Sequence, residues 1–76
     1  HANGEYVVDK VLDIRGNRNK KNRFLRTNLE LLIRWSGYDE SNDSWEPYSE
    51  IRKTNKFIEF CNQNNFKDLI PPNMES

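Results

Sequence analysis

The segment from Leu31 to Pro47 constrains the fold more than any other. Leu29, Leu31, Ile33 and Trp35 alternate with Glu30, Leu32 and Arg34, the period of a strand with one face against a core. Ser36-Gly37 breaks that strand. Asp39, Ser41, Asn42 and Asp43 then form a polar turn, and Ser44-Trp45-Glu46 is a second short stretch stopped by Pro47. Trp35 and Tyr38 thus fall at the lip of a turn, where no ring is needed to end a strand. Trp45, in mid-strand, is expected to plug the core.

The remaining elements follow in chain order. Glu5 to Ile14 is rich in Val, Ile and Leu and predicts a first strand, with Tyr6, Val8, Leu12 and Ile14 on one parity and Val7 and Val11 on the other. Gly16 to Asn22 has the composition of an exposed hairpin loop. The second strand is expected to start between Phe24 and Asn28 and to run to Trp35. After Ser44–Glu46 the period changes. Thr54 is a candidate N-cap, and Phe57, Ile58, Phe60 and Cys61 mark the apolar face of a helix of about ten residues that Asn62–Asn65 brings to an end. Phe66, Leu69 and Ile70 extend the packing before Pro71-Pro72. Phe24, Tyr48 and Phe66 are expected in packing or surface roles. Three strands joined by hairpin-length links predict an antiparallel meander with the helix laid against it, an α+β domain over 5–70 between a flexible lead, 1–4, and a flexible tail, 71–76.

Composition narrows the function. With 76 residues, 34% hydrophobic and 32% charged, the chain supports one thin core and suits a binding module better than an enzyme. The one histidine is His1, and no nucleophile–base pair is visible. Cys61 is alone, which leaves no internal disulfide and no zinc-type cluster; no metal or other cofactor is expected. No apolar run is long enough to span a membrane, and a reducing, intracellular setting is expected. The formal charge is zero but unevenly placed. Arg15, Arg18, Lys20, Lys21, Arg23 and Arg26 stand together without an acid, a run that is either a solvated loop or a contact for DNA or RNA phosphate. Asp39, Glu40, Asp43, Glu46 and Glu50 stand together without a base and would attract a cationic partner such as a lysine-rich tail.

EYVVDKVLDIR, then LLIRWSGYDESNDSWEP, then a C-terminal helix, resembles a chromodomain over about Glu5 to Asn62. The resemblance implies a curved three-stranded sheet (an SH3-like partial barrel) with the helix across one end. It also implies a chromatin reader that boxes a methylated lysine of a histone H3-type tail between three aromatic rings. The matching positions are Tyr6, Trp35 and Tyr38. A quaternary ammonium is weakly hydrated and fully charged, so ring faces favour it by about 0.5–2 kcal/mol each. The tail would add as a strand between Glu5, Tyr6, Val7 and Val8 on one side and Asn42, Asp43, Glu46 and Glu50 on the other. Asn42 replaces an acid common beside the cage, and Glu50 replaces an asparagine that clamps the peptide backbone. Loss of that carboxylate should weaken a dimethyl ligand more than a trimethyl one. The longer basic hairpin and the Ile-Arg-Trp-Ser-Gly-Tyr and Trp-Glu-Pro-Tyr wording are most similar to the C-terminal chromodomains of LTR-retrotransposon integrases, which implies chromatin targeting in the nucleus. The isolated domain is expected to be a monomer, and Trp35 to be replaceable by alanine without loss of fold. Two other readings stand beside this one: a nucleic-acid-binding variant using the basic loop, and a protein-interaction module with a vestigial cage.

Overall fold

The structure is a computed structural model that describes residues 7–72. The expected lead 1–4, the strand start at Glu5 and Tyr6, and tail residues 73–76 lie outside the described residues. Three strands, β1 (Val8–Arg15), β2 (Glu30–Trp35) and β3 (Ser44–Pro47), form one antiparallel sheet in the order β1-β2-β3. Two α-helices follow among the described residues: α1 (Tyr48–Ile51), which the sequence did not announce, and α2 (Asn55–Asn64). The meander with a C-terminal helix is the architecture expected from the pattern.

The alternation in β2 does what its period requires. Leu29, Leu31, Ile33 and Trp35 are all buried, while Leu32 and Arg34 on the opposite face are half-exposed. Phe57 and Cys61 of α2 seal this core and are fully buried; Val8, Val11 and Ile14 of β1 pack at its edge. Thr54 caps α2 as expected, its hydroxyl accepting from the Phe57 amide at 3.2 Å. Asn65 closes the helix in the left-handed region, with φ 68°.

Several expectations need correction. In β1 the residues against the core are Val8, Val11 and Ile14, a period of three rather than two. Register shifts between Val8 and Lys10 and between Val11 and Asp13 are bulges that rotate the pleat and bend the strand over the core. β2 begins at Glu30, not between Phe24 and Asn28. Phe24 makes one isolated bridge to Arg18, and the chain then turns through Asn28, φ 59°, before the ladder starts. Tyr48, by contrast, takes the packing one of its two expected roles. Its ring is buried edge-on to Phe57, and its hydroxyl donates to the Leu69 carbonyl at 2.6 Å, pinning the C-terminal segment.

Trp45 does not plug the core. It pairs with Leu32, so it lies on the outer face of the sheet, half-buried, with the Arg15 guanidinium 4.1 Å from its ring centroid. A short strand with one large apolar residue has no parity of its own to read. Register against β2 decides it: Ser44 faces Ile33 and takes the core side, and Trp45 takes the other.

Candidate functional site

Trp35 and Tyr38, two of the three expected rings, lie at the end of the sheet where β2 finishes. Trp35 pairs with Val8, and the next amide, Ser36 N–H, donates to the Val7 carbonyl at 2.8 Å. Tyr38 N–H donates to the Trp35 carbonyl at 3.1 Å across a tight turn in which Gly37 has φ 85°. That conformation strains any residue with a β-carbon, so Gly37 sets the geometry between the two rings. Tyr38 is 47% exposed, an unusual state for a large ring that makes no strand. Tyr6, the third expected ring, lies outside the described residues, one residue beyond Val7.

Trp35 is more deeply held than a lip residue would be. It is only 7% exposed, and its indole N–H donates to Ser44 Oγ at 2.8 Å. Ser44 in turn donates to a Glu46 carboxylate oxygen at 2.6 Å. A chain of two hydrogen bonds therefore runs from the carboxylate to the indole and fixes the ring plane. The expectation that Trp35→Ala would spare the fold is corrected accordingly: the indole belongs to the core.

The polar turn is organised by its own acids. Asp39 accepts from the Ser41 hydroxyl and amide and from Asn42 Nδ2, contacts that hold its carboxyl below the usual range and tie Asn42 into the turn. Asp43 accepts from Arg34 Nε at 2.5 Å and from Nη2 at 2.9 Å. This forked pair lowers the Asp43 pKa and raises that of Arg34. Of the expected acidic wall, Asp43 is thus neutralised, Glu46 serves Ser44, and Glu50 is exposed in the first turn of α1. Val7 and Val8 line an open groove of about 390 Å³, whose other wall is Thr54, Asn55 and Lys56. Those three residues were not foreseen, because only the packing of α2 brings its N-terminus to β1.

The basic run divides in the same way. Arg15 is engaged by Glu30 at 2.8 Å and by the Trp45 ring, and Arg26 donates to the Asp68 carbonyl at 2.8 Å. Arg18 stacks 4.0 Å from the Phe24 ring centroid, and Arg23 stands 3.9 Å from the Asp68 carboxylate. Lys20 and Lys21 have no ion pair among the described residues.

No group of three or more His, Cys, Asp and Glu side chains suited to a metal is present among the described residues. Cys61 is buried and its thiol is pushed up to about 12 by desolvation, with the Asp68 charge adding to it, so it is not a nucleophile.

The three-stranded antiparallel sheet with its C-terminal helix agrees with comparison to known sequences. The Chromo (chromatin organisation modifier) domain family matches residues 6–61. The chain belongs to the chromodomain family. Among curated relatives, the chain is 31% identical over 62 residues to Testis-specific chromodomain protein Y 1 of Homo sapiens, a match covering 82% of this chain and 10% of that protein. Chromodomain Y-like protein 2 of Mus musculus is 37% identical over 62 residues, covering 80% and 11%. Chromo domain-containing protein rhino of Drosophila melanogaster is 32% identical over 54 residues, covering 71% and 11%. The chain spans about a tenth of the length of these relatives.

Proposed function

We propose that this chromodomain reads a methylated lysine on a histone H3-type tail, with Tyr6, Trp35 and Tyr38 as the cage, and that it serves in the nucleus to tether a retrotransposon-type integrase to chromatin. The observation that carries the reading is Tyr38, held 47% exposed beside a Trp35 whose ring plane is fixed through Ser44 and Glu46. Rings immobilised before the ligand arrives lose little entropy on binding, and a desolvated ammonium gains from each face. The tail would run along Val7 and Val8 in the groove facing Thr54, Asn55 and Lys56. Asn42 brings no carboxylate to the cage and Asp43 is held by Arg34, so the trimethyl form is favoured over the dimethyl. The integrase assignment rests on the wording around Trp35 and on the basic hairpin.

Calorimetric titration with H3-type peptides carrying unmodified, dimethyl and trimethyl lysine tests this reading. Tyr38→Ala, which removes an exposed ring at little cost to the core, should weaken trimethyl binding by at least about tenfold, or about 1.4 kcal/mol. Equal affinity for unmodified and trimethyl peptides would refute the cage. A fluorescent fusion should concentrate on chromatin and disperse on the same substitution.

A further inference from the structure

We infer that the hairpin between β1 and β2 is a second binding site, for the phosphodiester backbone of a nucleic acid, at the end of the sheet away from the rings. β1 and β2 pair Val8 with Trp35 at one end and Arg15 with Glu30 at the other. The six residues of β2 put about 20 Å between the two ends.

The hairpin is a built structure. Asn19 Oδ1 accepts from the Lys21 and Arg23 amides at 2.9 and 3.0 Å, and the Asn19 amide donates to the Arg23 carbonyl at 2.8 Å. Asn22 takes the left-handed conformation that closes the turn. At its base, Arg18 bridges to Phe24, and Phe24 is buried edge-on to Phe66. The tip therefore presents Lys20 and Lys21 from a hydrogen-bonded frame anchored in the core. Neither lysine has an ion pair among the described residues, so no internal bond must break when a phosphate arrives.

Beside the tip lies a groove of about 280 Å³. Lys21 and Arg23 line one side, the half-buried Phe66 offers an apolar wall for a sugar or base, and Asn22 and Asn65 add amide donors and acceptors. Asp68 is the one carboxylate in the lining, and Arg23 stands over it. Cations, a flat ring and amides in one groove match a sugar-phosphate chain, which needs charge along its backbone and an apolar face beside it. Arg15 and Arg26 are bound elsewhere and take no part in this site.

The site does not depend on the cage, so the two can fail separately. Fluorescence anisotropy with a labelled DNA duplex and a labelled single-stranded RNA, between about 50 and 200 mM salt, should show binding that falls linearly in log–log form. Lys20→Glu/Lys21→Glu should weaken binding by at least about tenfold at low salt and reduce the salt slope by about 2, with trimethyl-peptide affinity and melting temperature unchanged. Lys20→Ala/Lys21→Ala should give a smaller loss in the same direction. Lys53→Glu, at an exposed position between α1 and α2, should change neither nucleic acid affinity nor slope by more than its single charge. The proposal is overturned if neither nucleic acid binds, if the double reversal leaves affinity and slope intact, or if Lys53→Glu is as damaging. It is equally overturned if phosphatidylserine vesicles bind through the lysines while both nucleic acids are ignored.

Discussion

Trp35 and Trp45 lie ten positions apart on adjacent strands, yet face opposite sides of the sheet. Trp35 ends an alternating run whose every odd member is buried, and it is 7% exposed with its N–H bonded to Ser44. Trp45 stands alone in a four-residue strand on the outer face, covered on one side by the Arg15 guanidinium. The inner face is held by packing and fixes the Trp35 ring. The outer face is held by charge: Arg15 with Glu30, and Arg34 with Asp43. The two faces should therefore respond differently to mutation and to pH.

The largest effects belong to the inner face. Phe57→Ala and Trp35→Ala should each destabilise by about 3–5 kcal/mol, read from urea unfolding, because each leaves a cavity among Leu31, Ile33 and their neighbours. Trp45→Ala should cost only about 1–2 kcal/mol, the loss of a half-buried ring and one cation–π contact. A cost as large as that of Phe57→Ala would place Trp45 in the core after all. The smallest effect is electrostatic. Asp43 has its pKa depressed below the ordinary 3.8, so its contribution to stability is complete above that value and is lost as pH falls through the lowered one. Melting temperature followed from pH 7 downward (a range about the ordinary carboxylate value) should fall less steeply in Asp43→Asn than in the wild type. Identical profiles would show that the Arg34–Asp43 fork contributes nothing to the outer face.

Long, strongly patterned stretches were legible in the residues. The four buried positions of Leu29–Trp35 and the Thr54-capped, ten-residue α2 follow from local periodicity and capping, which act over a few neighbours. The turn between Trp35 and Tyr38 was legible too, since Ser36-Gly37 breaks the strand and Gly37 takes the positive φ that the turn requires. The misreadings fall where phase is set from outside the segment. β1 has two bulges that only pairing with β2 creates, and Trp45 takes its face from the Ser44–Ile33 pair. For Tyr48 the residues left packing and surface roles open, and the Leu69 carbonyl, 21 residues on, accepts the hydroxyl of the buried ring.

The same division runs through the charged surfaces. Charge segregation is a property of order along the chain, so the basic run 15–26 and the acidic run 39–50 needed no structure. Which of those charges remain available is a tertiary matter. Glu30 and the Trp45 ring engage Arg15, the Asp68 carbonyl takes Arg26, and Arg34 takes Asp43, whereas Lys20 and Lys21 are left at the tip of a hairpin tied by Asn19. Sequence by itself determined the strands and helix, the two charge clusters and the aromatic turn, because each depends on residues within a turn or two of one another. Tertiary structure decided the face of Trp45, the depth of Trp35 and the cations left for a partner, because each depends on which distant atom arrives within hydrogen-bonding or van der Waals distance.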